Sequence, residues 1–199
     1  MNELSPQPKG RATTQAAEGV PRLRWSLSEF ERLTELGIFT EDDRIELIGG
    51  ELVPMSPKGN RHENVRTKLV DWMYRRLPKD LLLTVELGWR PNDSTYLEPD
   101  ILVFRDVADP SRVPASEVLL AVEIAVSSLA YDTGRKSQVY AALGVPDYWV
   151  IDAVTLSTCV YREPTPIGYA SVTEVPRTDI LLPRSVAPIA VRLADLRLD

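Results

Sequence analysis

Hydrophobic positions change spacing several times along this chain, and each change predicts an element. Leu27, Phe30, Leu33 and Leu36 recur every three residues behind Ser26, and Glu29 stands where a capping box needs it, so a short amphipathic helix closing near Gly37 is expected. RIELIGGELVPM then alternates apolar and polar residues on both sides of Gly49 and Gly50, the pattern of a hairpin. Val65, Leu69, Trp72, Met73 and Leu77 return at helical spacing, and Pro78 ends the run, which predicts a helix over about 61–77. Strands are expected over 81–89 and 97–104, with RPNDST turning between them. EVLLAVEIAV, 117–126, is apolar on both faces apart from Glu123, as a central strand covered on both sides should be.

A helix over about 132–143 follows, with Asp132 or Thr133 as its cap and Gly144 and Pro146 at its end. DYWVIDA reads as another buried strand, with further strands near 156–162 and 168–175. The final 25 residues show no clear period. A strand-helix-strand crossover across 117–151 implies one parallel pair inside a mixed sheet flanked by helices, an α/β (α+β) architecture. The first 21 residues mix Pro, Gly, Ser, Thr and Gln with few apolar positions and read as a flexible tail, leaving 22–199 as one domain with its core over about 61–152.

Composition narrows the chemistry more than the fold. The 199 residues are 44% hydrophobic and 26% charged, ordinary values for a globular domain. No window approaches the roughly 18 continuous apolar residues of a membrane span, and the first residues carry no apolar segment suited to export, so a cytoplasmic protein is expected. One cysteine, Cys159, and one histidine, His62, exclude a zinc cluster built from those residues. Oxygen ligands remain open. A net charge of -6 argues against a passive nucleic-acid coat but not against an enzyme with a local basic rim. Arg61, Arg66, Lys68 and Arg135 are the candidate DNA-binding groups of such a rim; the bland reading makes them solvated surface charges.

Within YLEPDILVF, Asp100 stands at the mouth of an apolar run, and Glu123 interrupts another. Two unpaired acids on neighbouring strands would repel in a core, whereas a hard divalent cation, Mg2+ or Mn2+, satisfies both. Glu98, two residues before Asp100, would share its strand face. Lys136 lies on a helical face with Tyr140 and Leu143, so its ammonium points toward the sheet, either to stabilise charge on a phosphate or to pair with Glu123 as a snorkelling lysine. Tyr140, Tyr148 and Trp149 read as packing residues, with Tyr140 also a secondary site candidate.

EPD at 98–100, VEIAVSS at 122–128, DTGRKSQVY with Asp132, Lys136 and Tyr140, GVPDYWVID at 144–152, and ELIGGELVPMSP followed by RHE at 61–63 together resemble the Uma-type endonucleases. This bacterial family belongs to the PD-(D/E)xK restriction-endonuclease-like superfamily, and the likeness spans about 25–165. It implies a restriction-endonuclease-like core with an N-terminal helix and hairpin and C-terminal strand extensions. It also implies Asp100 and Glu123 as metal-binding catalytic acids, with Lys136 as a catalytic lysine moved from the strand, where Ala125 now stands, to the next helix. His62, Glu63 and Glu51 become secondary candidates. The expected activity is Mg2+-dependent hydrolysis of DNA by a homodimer; a nuclease fold that binds nucleic acid or protein without cutting is the alternative.

Overall fold

The computed structural model describes residues 13–15 and 21–198. Most of the expected tail lies outside those residues, although β1 (Thr13–Gln15) pairs antiparallel with β2 (Pro21–Leu23). The chain divides into two compact units, one comprising residues 1–54 and 92–96, the other 55–91 and 97–199.

In the first unit, α1 (Leu27–Glu35) starts on Ser26, whose hydroxyl accepts from Glu29 N–H while the Glu29 carboxylate accepts from Ser26 N–H. Both ends of the expected capping box are therefore made. Leu27 and Phe30 are buried, but Leu36 is exposed, so the apolar stripe is shorter than its spacing predicts. β3 (Ile45–Ile48) and β4 (Glu51–Pro54) form the expected hairpin through Gly49 and Gly50, both with positive φ.

The second unit holds the larger sheet and α2 (Asn60–Tyr74). The region expected as one strand over 81–89 is two, because Glu86 adopts a left-handed backbone (φ 51°) between β5 (Leu81–Thr84) and β6 (Trp89–Asn92). An Asx turn at Asn92 leads into β7 (Thr95–Leu97), and β8 (Ile101–Arg105) follows. Residues 98–100 thus precede the strand, and the expectation that Glu98 shares a strand face with Asp100 does not hold.

β9 (Val118–Ala125) is buried at every position. After it come α3 (Leu129–Tyr131), a π-helical turn (Asp132–Lys136) and α4 (Ser137–Leu143). Asp132 and Thr133 are therefore not caps: the helical segment begins before them, and the Thr133 hydroxyl donates to Leu129 O. Gly144 closes α4 in the left-handed region, as expected. β10 (Asp147–Asp152), β11 (Thr158–Thr165) and β12 (Gly168–Val175) complete a six-stranded sheet of order β12-β11-β10-β9-β8-β5. Only β9 and β10 run parallel, so the predicted crossover and mixed sheet are both present.

Strand alternation sorts this sheet into two faces. Ile101, Val103, Leu120, Val122, Ile124, Trp149 and Ile151 join a core with Val65, Leu69 and Met73 of α2. The same core includes Ile189, Val191, Leu193 and Leu196, so the region without a sequence period closes one side of it.

Candidate active site

Ile101 pairs with Val122 across β8 and β9, and Asp100 and Glu123 are the next residues along from that pair. Both acids are buried, at 3% and 4% exposure. Each has been given buried donors. Asp100 Oδ2 accepts from Ile124 N–H at 2.7 Å and lies 2.9 Å from His62 Nε2, while Oδ1 lies 2.9 Å from the Lys58 ammonium. Burial raises the Asp100 carboxyl's pKa, but the His62 hydrogen bond and the Lys58 charge outweigh it and bring the value down to about 2. An ionised carboxylate only accepts, so His62 Nε2 must carry the proton it shares.

Glu123 Oε1 lies 2.9 Å from Lys136 Nζ and accepts from the Tyr140 hydroxyl at 2.8 Å. Lys136 is the last residue of the π turn and Tyr140 lies in α4, and both reach Glu123. Lys136 is only 4% exposed, and its ammonium is held against the sheet. Tyr140 also stacks on Tyr148, with ring centroids 4.5 Å apart, and on Trp89 at 6.3 Å. Tyr140 therefore does more than pack. Tyr148 donates to Asp132 O and Trp149 Nε1 to Asp147, so those two rings hold the scaffold.

The secondary candidates separate. His62 is buried and joined to Asp100, not the surface or capping residue that a lone histidine at a helix start usually is. Glu63 faces His62 Nδ1 at 3.4 Å and pairs with Arg66. Glu98 is half-buried just before the site, and Glu51 lies on β4 in the other compact unit. Among the proposed DNA-contacting groups, Arg66 is engaged by Glu63 and Glu86, and Arg61 donates to Val154 O at 3.4 Å. Lys68 and Arg135 are exposed.

Sequence reasoning missed two groups. Lys58, in the irregular stretch before α2, bridges Asp100 and Glu86, and Glu86 holds Lys58 and Arg66 together. Burial raises the Glu86 pKa, but Lys58 and Arg66 pull it below the ordinary carboxylate range. Loop residues have no period to read; the only available signal was the placement of Lys58 four residues before His62.

The donor set fits a hard divalent cation. Asp100 and Glu123 offer two buried carboxylates and no thiolate, although no group of three or more His, Cys, Asp and Glu side chains that could hold a metal occurs among the described residues. Any cation held here would complete its shell with water and substrate oxygens.

A six-stranded mixed sheet with an acid at the head of one strand, an acid within the next and a lysine from the following helix defines a restriction-endonuclease-like protein. The chain belongs to the Uma2 family, described as "Putative restriction endonuclease", whose model matches residues 27–195. A solved structure from Anabaena variabilis, described as "a putative nuclease belonging to DUF820", shares its fold, with a TM-score of 0.68 and 18% identity over 86% of this chain and 96% of that one. Among curated proteins none matches. No helix among the described residues is long and apolar enough to cross a membrane.

Proposed function

We propose that this protein is a metal-dependent endonuclease that hydrolyses phosphodiester bonds in DNA. The observation that carries the reading is two buried acids on neighbouring chain segments, Asp100 just before β8 and Glu123 within β9, with Lys136 seated on Glu123. Membership of a family described as "Putative restriction endonuclease" supports the substrate class. Asp100 and Glu123 would hold Mg2+ or Mn2+, and the bound cation supplies Lewis acidity toward water and phosphate. His62 and the Ile124 N–H fix the Asp100 carboxylate, and Tyr140 fixes that of Glu123. Lys136 places positive charge where a phosphate would gain negative charge during attack, and being buried it acts with little solvent screening.

The test is nicking of supercoiled plasmid in Mn2+. Asp100→Ala, Glu123→Ala and Lys136→Ala should each abolish or severely reduce cutting while retaining the native circular dichroism spectrum. Full cutting by either acid variant would end the proposal. A two-fold homodimer would present two such sites to opposite strands, and sedimentation of the protein at twice the monomer mass is the matching expectation.

One observation favours a second reading, a nuclease fold that binds without cutting: Asp100 already has Lys58, His62 and Ile124 N–H as partners, so its charge is satisfied without a metal. Folded protein that takes up no Mn2+ at millimolar concentration in calorimetry would select that reading.

A further inference from the structure

Lys58 contacts two acids drawn from different segments of the chain. Its ammonium lies 2.9 Å from Asp100 Oδ1 and also pairs with Glu86, and its side chain is only 12% exposed. Asp100 immediately precedes β8, which is buried at every position but Arg105, and Glu123 lies within the fully buried β9. Lys58 lies outside any helix or strand. It belongs to the irregular segment between β4 and α2, followed by Gly59, whose place at the start of α2 involves no side-chain capping bond. The flexible partner of the Asp100 pair is therefore the lysine.

We propose that Lys58 is a resident counter-ion that competes with the divalent cation for Asp100, and that Glu86 retains its ammonium when the cation binds. This rests on the metal-dependent reading above. An ammonium and a divalent cation on the same carboxylate oxygen repel strongly where little water screens them. Yet an ammonium stripped of all acceptors and left in a largely buried position would be costly. Glu86 resolves the conflict: it is only partly buried and already shares Lys58, so the lysine can release one acid while keeping the other. Arg66 pairs with the same Glu86 carboxylate and anchors it. Lys58 would thus set how much free metal the protein needs before it loads, in effect a threshold written into the loop.

The test measures Mn2+ binding to the whole protein by titration calorimetry. Lys58→Met keeps the apolar stem and removes the charge, so its affinity for Mn2+ should rise by roughly tenfold or more over the parent. Lys58→Arg keeps a cation and should stay close to the parent, and Asp100→Asn should lose binding whether or not Lys58 is present. Equal or weaker binding by Lys58→Met, with Asp100→Asn still abolishing it, overturns the role of Lys58 and leaves the metal-site reading standing. No binding by any folded variant overturns both. A crystal structure of the parent grown with Mn2+ gives a second readout that does not depend on the stability of any variant. Lys58 Nζ should there be found on Glu86 and off Asp100 Oδ1, and a bound Mn2+ with Lys58 still on that oxygen would refute the exchange.

Discussion

The Asp100 carboxylate combines nearly complete burial with a pKa pulled down to about 2, and this makes it a measurable contributor to stability. Its unfolded value is 3.8, so folding favours the charged form: the contribution is fully present above pH 3.8 and is lost as pH falls from there through about 2. The shift is equivalent to about 2 kcal/mol. Urea unfolding of chelator-treated protein should show that loss across the window. Asp100→Asn should already be destabilised at pH 6 and should show a flatter acid limb. An unchanged limb in the variant would mean that Lys58 and His62 do not stabilise the charge. At this scale the sequence marked the two acids as positions worth following, and both are buried. Asp100 and Glu123 were legible because one heads an apolar run and the other interrupts one, whereas Lys58 sits in a segment with no run, and Glu86 interrupts LLLTVELGW but was absorbed into the single strand expected there.

Among the elements, the regular ones were legible and the junctions were not. Ser26 with Glu29 announced α1, and the apolar period of Val65, Leu69 and Met73 announced α2. The π turn at Asp132–Lys136 has no compositional mark, because its residues suit an α-helix equally well, and tertiary contacts decide between the two. The break at Glu86 was hidden for a related reason: a glutamate in the left-handed region is paid for by its ion pairs, which no local pattern encodes. Two glycines separate conformational cost from steric cost. Gly144 has φ +83° and open space around an added Cβ, so Gly144→Ala should destabilise by about 1 kcal/mol. Gly50 has φ +87°, and an added Cβ would come within 2.9 Å of Arg24 Cβ and 3.0 Å of Trp25 O. Gly50→Ala should therefore cost clearly more, and thermal melts of the two variants compare them directly. Equal costs would show that the hairpin relaxes around the clash.

For the whole molecule, the main surprise is the importance of a region that sequence patterning left unassigned. Ile189 and Leu193 are 0% and 1% exposed and lie in the same core as α2 and the six-stranded sheet. Trp72 Nε1 donates to Ala190 O at 3.0 Å, and Arg184 N–H donates to Asp147 at 2.7 Å, so polar contacts also fasten this region to the scaffold. Its elements are 3-10 turns and a single bridge between Leu181 and Val191, which generate neither a helical nor a strand period. Ile189→Ala and Leu193→Ala should each cost about 3 kcal/mol, the usual scale for emptying a core position. Removal of the last 25 residues should leave a chain that binds hydrophobic dyes and lacks a cooperative melt. A truncated chain with a sharp transition would show that the core closes without them.

The ring stack beside Glu123 has a practical consequence. Trp89 is fully buried against Tyr140, whose hydroxyl touches the acid, so the indole sits one aromatic ring away from Glu123. Replacing Trp25, Trp72 and Trp149 with phenylalanine would leave a single emitter, and its colour and intensity would then follow events at Glu123 in real time. The protein carries its own optical gauge, and stopped-flow mixing could read it without any added label.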